Sequence, residues 1–494
     1  MNDTERFEAW EKKLSAYSYA MTLHGLDGNN APVQGRKYRE SMAVILASEM
    51  FEIEHDETIL PVLERLSAQD DDPVLKQRAQ LRLNRMKQSL SVRKEDYEQY
   101  RKVLAESIEA WLKYKPAADW KSYAPYLQDL VQAYRALQKP RLQEGQKLYD
   151  LLLDDHEKGW DTVRYDAFFK EIRTCAVSLL EQIRTKDQID DSFLHQYYPA
   201  DKQRAFMPQI LKYMGFSEEW GRISESEHPL TTPVTAGDIR FTTKYREHDV
   251  SAAILSSVHE IGHAWFGHQI DPAYEGTILA RAMSAGLHES QSRLCENHLG
   301  RSTAFWQYNL PLLQEVFPAE LAGITPETFC RALNRTEATL VRTQADELTY
   351  PLHIMIRYEI EKMMFSDDPD ILHLDEVWNQ MYHEYLGLEV PDAQSGILQD
   401  MHWPYAYFGY FPTYALGSAF AAQFNAAMRK DINVDDLLRE GRTEEIFAWL
   451  KEHVQHWGAF LSTDEIIRRA CGEDFSPRFW TEYITKKYTE LYRL

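Results

Sequence analysis

The pentapeptide His259-Glu260-Ile261-Gly262-His263 sets two imidazoles and a carboxylate in the H-E-x-x-H pattern, the spacing a zinc hydrolase needs. Side chains four residues apart on a helix share a face, so His259 and His263 can grip one metal ion together. Glu260 is turned one residue away, where a carboxylate reaches the attacking water without being a ligand. The flanking residues predict the helix this requires. Asp249 is an N-cap, Ile254, Leu255, Val258, Ile261, Gly262 and Trp265 trace an apolar stripe, and Gly267 marks a stop. With 17 His in 494 residues, the pattern also arises by chance on ordinary helices, so the remaining parts of a site must be sought elsewhere in the chain.

Catalytic zinc takes three protein ligands and keeps one position open. The extended metzincin form would place Gly and His three and six residues after His263. Phe266 and Gln269 stand there, with Gly267 and His268 one residue out of register, which rejects that form. The alternative is a carboxylate from a following helix. The segment from Ala280 to Leu299 offers one in His288-Glu289-Ser290-Gln291, where Ala285 and Gly286 are small enough to let two helices approach closely. Spacing alone leaves Glu275, His288, Glu296 and His298 in competition with Glu289.

The elements that must hold these groups read as mostly helical. Amphipathic runs cover Thr4 to Leu23, Gly35 to Ile53, Pro73 to Lys87, Lys94 to Lys113 and Leu142 to Leu153. Asp70-Asp71-Asp72-Pro73 reads as a solvated helix entry rather than a cation site. Composition shifts to Ser, Thr, Gly and Pro from Gly215 to Tyr245, ending in an alternating stretch, Asp238 to Tyr245, that predicts a strand. A strand running into the metal helix would form a cleft wall with an open edge, able to hold an extended peptide. Helical patterns then resume, and no flexible linker appears. The expectation is a mainly α chain, 1–494, forming a single domain around a groove: a helical half, 1–215, as one groove wall, and a metal-binding half, 216–494.

Composition excludes several partners. A formal charge of -22 argues against nucleic acid and anionic membrane surfaces, which bind basic proteins. The start, MNDTERFEAWEKK, is too charged for a secretory segment. The apolar run from Tyr405 to Phe424 is broken by Gly409, Pro412 and Gly417, so it is no membrane span. Cys175, Cys295, Cys330 and Cys471 are widely spaced and predict neither disulfides nor a Cys-based metal site. A soluble cytoplasmic protein is expected.

Six short segments, in order along the chain, carry a resemblance. They are His228-Pro229, Asp238-Ile239-Arg240-Phe241-Thr242, His259 to His263, His288-Glu289-Ser290-Gln291, Ile356-Arg357-Tyr358-Glu359, and Gly396-Ile397-Leu398-Gln399-Asp400-Met401-His402-Trp403. The chain resembles the carboxypeptidase Taq family of zinc metallopeptidases, with one departure: Leu230 stands where that family usually has Phe. The resemblance implies Glu289 as the third ligand beside His259 and His263, and Glu260 as the catalytic carboxylate. It also implies one Zn2+ per chain, although these ligand types accept Co2+ as well, and a helical fold with a long groove similar to the thimet oligopeptidase and angiotensin-converting enzyme group. An intracellular homodimer acting on peptides with a free C-terminus is implied as well.

That activity sets two further demands. The oxyanion formed at the carbonyl needs donors, for which His402 and Tyr414 are the candidates, and the resemblance favours Tyr414. The substrate's terminal carboxylate needs a guanidinium. Arg357, in an apolar helix among Ile354, Met355, Ile356, Met363 and Met364, is the first candidate; the bland reading pairs it with Glu359 or Glu361. Arg240 is the second, with Asp238 as a dull partner, and His228 would line the far end of the groove. The competing activities are an oligopeptidase or dipeptidyl carboxypeptidase on the same scaffold and, more remotely, a silent peptide-binding module.

Overall fold

Local capping chemistry sets many of the helix starts in the computed structural model, which describes residues 1–28 and 31–494. Asp72 accepts from the backbone of Val74 and Leu75, and Pro73 opens the helix Pro73–Leu90, the entry expected from the acidic run. The helices Asp3–Gly28, Arg36–Glu54 and Lys94–Tyr114 also stand where periodicity puts them. The run expected from Leu142 begins only at Leu148, because the chain first makes a 3-10 turn at Lys139–Arg141 and then turns through Gly145 at φ 78°.

Apolar packing divides into a small cluster around Phe7, Val62, Leu63, Ala79 and Leu83, and a main core drawing on residues from Val103 to Tyr492. Buried Glu11 ties the small cluster to the main body. It accepts from Arg78 and Arg82 on its own side and from the backbone N–H of Ile278, in the segment leading to Glu289. No described helix is long and apolar enough to cross a membrane, and all four cysteines are free thiols.

Three short strands form the single sheet found among the described residues. β1 (Gly221–Glu225) pairs in parallel with β3 (Asp238–Thr243), and β2 (Thr231–Thr235) pairs antiparallel on its other side. Alternation along β3 buries Ile239, Phe241 and Thr243, and β2 and β3 pack on the helix Ala252–Gln269. The strand expected to offer a free edge is therefore the central one. The edge beside the metal helix belongs to β2.

That helix begins at Ala252 with Ser251 in the N-cap position, and the expected cap Asp249 acts from two residues further out, accepting from the backbone of Ser251 and Ala252. It does not stop at Gly267. A Cβ there would lie 3.1 Å from Ile239 and 3.3 Å from Pro233, so the missing side chain seats the sheet while the helix runs on to Gln269.

Candidate metal centre and catalytic cleft

His259 and His263 project from one face of the helix Ala252–Gln269, and Glu289 meets them from the helix Ala285–Arg293. One ligand atom from each lies within 4.8 Å of the others. Glu289 Oε2 is 3.4 Å from His263 Nε2 and 3.9 Å from His259 Nε2. Glycine makes this approach: a Cβ at Gly262 would sit 2.4 Å from the backbone oxygen of Gln291 and 2.7 Å from Ser292 Cα. The small residue that brings the two helices together is thus Gly262. Gly286, expected in that role, instead faces Glu157 and Phe420, and a Cβ there would meet Glu157 at 2.4 Å.

The surroundings orient the ligands. His259 Nδ1 lies 2.9 Å from Glu296 Oε2, so the neutral ring donates there and turns its Nε2 lone pair toward Glu289. Glu296 sits in a π-helical stretch, Leu294–Gly300, a distortion often found at functional sites. Arg293 holds Glu289 at 2.7 Å and Glu296 at 3.3 Å, and Arg301 adds a second contact to Glu296 at 3.2 Å. Burial opposes ionisation of both carboxylates, but these guanidiniums and the imidazoles outweigh it and hold them well below the usual carboxylate range. His288 stacks on His263 with ring centres 4.2 Å apart, and burial keeps it neutral.

The cluster attracts positive charge. Burial pushes His259 down, yet the Glu289 charge and the Glu296 hydrogen bond more than offset that and raise its pKa. Two imidazoles and one ionised carboxylate, oriented by outer hydrogen bonds, fit a divalent cation. Glu296→Gln is expected to weaken metal binding about 10- to 100-fold. A chelator competition measures this, and unchanged affinity would remove Glu296 from the orienting set.

Glu260 is buried beside the ligands, its Oε2 accepting from the Thr231 hydroxyl at 2.6 Å. The helix Pro412–Asp431 crosses the Glu289 helix at Gly417, where a Cβ would lie 2.6 Å from Glu289 Cγ. Tyr414 is three residues earlier on the same face, and this crossing carries it to the metal cluster. Its hydroxyl is 3.2 Å from His402 Nε2. Burial pushes His402 down to about 3 and the Tyr414 phenol well up, so the ring is neutral and the phenol keeps its proton. Tyr410 packs edge-on against Tyr414 at 5.2 Å. The aromatic loop is partly core, as Trp403 and Phe411 show, but its polar ends face the cluster.

Residues 6–488 match the carboxypeptidase Taq (M32) metallopeptidase family. The chain belongs to the carboxypeptidase Taq family. It is 35% identical to carboxypeptidase 1 of Bacillus subtilis (strain 168) over 489 residues, covering 98% of this chain and 97% of that protein. It is 34% identical to thermostable carboxypeptidase 1 of Thermus thermophilus over 402 residues, 78% of each. The crystal structure of the M32 carboxypeptidase from Deinococcus radiodurans R1 superposes with a TM-score of 0.96 at 28% identity over 100% of both chains. The chain is a metallocarboxypeptidase, a peptide hydrolase whose family implies a divalent metal.

The arginines with the chemistry to hold a substrate's terminal carboxylate divide sharply. Arg357 is 0% exposed. Its Nε and Nη2 lie 2.7 and 2.6 Å from Asp400, and Nη1 donates to the His353 carbonyl. Its side chain is fully buried, and its partner is Asp400 rather than Glu359 or Glu361. Arg342 was not singled out by sequence pattern. It grips the other oxygen of Asp400 at 2.8 Å, donates to the Tyr350 hydroxyl at 3.2 Å, and lies 5.4 Å from the Tyr414 ring while keeping 9% of its surface exposed. It opens the short 3-10 turn Arg342–Gln344, outside the amphipathic runs that periodicity picks out. Arg240 stays paired with Asp238 at 2.7 and 2.9 Å, with 40% of its side chain exposed. His228 lies on the exposed turn between β1 and β2, three residues before Thr231.

Proposed function

We propose that this chain removes single residues from the C-terminus of peptides, with zinc held by His259, His263 and Glu289. The observation that carries the reading is the three-ligand cluster of His259, His263 and Glu289, with buried Glu260 next to His259 on the same helix. When bound, zinc supplies a Lewis acid that acidifies water and polarises the scissile carbonyl, and cobalt suits the same ligand types. Glu260 accepts the proton of the attacking water and returns it to the leaving amine. Tyr414 donates to the developing oxyanion, with neutral His402 orienting its hydroxyl.

Arg342 takes over from Arg357 as the anchor for the substrate carboxylate. A guanidinium already sharing Asp400 still has donors left over, whereas Arg357 is sealed and serves to fix Asp400. In this reading Arg240, on β3, and His228, on the turn before β2, contact substrate residues further from the metal.

A zinc-dependent digest of a mixed peptide pool, read by mass spectrometry, tests the activity. Release of single C-terminal residues supports it; dipeptides or internal fragments replace it with a dipeptidyl carboxypeptidase or an oligopeptidase. Arg342→Ala is expected to lower kcat/KM for free-acid peptides about 100-fold, with little change for C-terminally amidated ones. Equal loss on both would remove the anchor role.

A further inference from the structure

Glu260 has one side-chain hydrogen-bond partner among the described residues, and it comes from the edge strand. Thr231 Oγ1 is 2.6 Å from Glu260 Oε2 and 3.0 Å from the backbone oxygen of the same residue. A hydroxyl carries one hydrogen, so it serves one of these acceptors at a time. The shorter distance falls in the range of an O–H donor on an ionised carboxylate. The placement is not left to a flexible loop. Thr231 pairs across the sheet with buried Phe241, and Pro233, two residues along β2, seats at Gly267. Glu260 and Gly267 are seven residues apart and share a helix face, while Thr231 and Pro233 share a strand face. The strand therefore lies along the metal helix and touches it at two fixed points.

We propose that Thr231 is a positioning residue that reserves Oε2 of Glu260 and so assigns the proton shuttle to Oε1. This rests on Glu260 being the base. An O–H bond of the attacking water breaks as an O–H bond forms at Oε1, and the water oxygen bonds the carbonyl carbon. Oε2 remains an acceptor for Thr231 throughout, because a protonated carboxyl keeps its other oxygen free. The Oε1–H bond then breaks as an N–H bond forms on the leaving amine and the C–N bond opens. Without the hydroxyl, the buried carboxylate turns freely and loses the orientation in which one oxygen always faces the reacting atoms.

Thr231→Val keeps the shape and removes the hydroxyl, while Thr231→Ser keeps the hydroxyl. With zinc loaded, the Val variant is expected to lose about 10- to 100-fold in kcat, the worth of a hydrogen bond to a charged group. Its KM and zinc content should match the parent. The Ser variant should recover kcat to within about threefold of the parent, since its hydroxyl reaches the same acceptor. A Val variant with parental kcat, a Ser variant as slow as Val, or a loss falling on KM or metal content would each overturn the proposal. Glu260→Gln is the control that separates the two claims. If it stays active, the base assignment fails; if it is inactive while Val is normal, only the role of Thr231 fails.

Discussion

Glu260→Gln is expected to bind metal as the parent does and to lose about 100- to 10,000-fold in kcat, the range for removing a positioned general base. The substitution is isosteric and touches none of the three ligands. His259, His263 and Glu289 keep their mutual distances because Gly262, Arg293 and Glu296 set them. The amide oxygen can still accept from Thr231, so strand and helix stay in register. What disappears is a group able to take a proton at neutral pH. The loss should therefore fall on kcat and kcat/KM together, with KM nearly unchanged, because a base contributes in the transition state rather than to substrate binding. Steady-state kinetics on a free-acid peptide, beside metal analysis of the same sample, reads both parts. Activity within about tenfold of the parent would remove Glu260 from the role. Loss of metal would instead make it part of the binding site.

How much of this was legible in the chain depends on whether each feature is local. The metal helix is local: a cap at Asp249, an apolar stripe and a four-residue spacing are all fixed by helical geometry. Its partner Glu289 was one of several acids and histidines until a resemblance selected it, because which carboxylate crosses a helix depends on tertiary packing. The glycines illustrate the same limit. Gly267 reads locally as a stop and Gly286 as the closest approach, yet Gly267 accommodates Pro233 and Gly262 accommodates the Glu289 helix. Glu296 meets His259 from a π-helical stretch, and no periodicity announces that.

The arginines give the sharper lesson. Arg357 drew attention because a charge among Ile354, Met355 and Ile356 needs a reason. The reason is Asp400, and the same apolar surroundings that make Arg357 conspicuous also bury it completely. Arg342 opens a three-residue 3-10 turn, too short for sequence periodicity to carry information. Its value appears only once the fold places Tyr350 and Tyr414 beside it.

His263→Ala should abolish metal binding and activity together, and it should do so without unfolding the chain. Two ligands, His259 and Glu289, would remain, and neither can chelate as a closed three-donor set. Glu289 stays ionised through Arg293, so the mutant pocket still attracts cations, but the imidazole 3.4 Å from Glu289 Oε2 is gone. The packing loss is modest. The ring stacks on His288, and truncating it leaves a small polar cavity at the cleft, with a destabilisation of about 1–3 kcal/mol. Linkage then distinguishes loss of metal from loss of fold. A metal that binds the folded state adds about 4 kcal/mol when its free concentration is about 1,000 times Kd. Chelation should therefore lower the melting temperature of the parent and leave that of His263→Ala unmoved. Stoichiometric zinc in the variant, or a melting temperature that still responds to chelator, would take His263 out of the metal site. The surviving ligand set would then have to be sought among His288 and Glu296, the nearest remaining donors around Glu289 and His259.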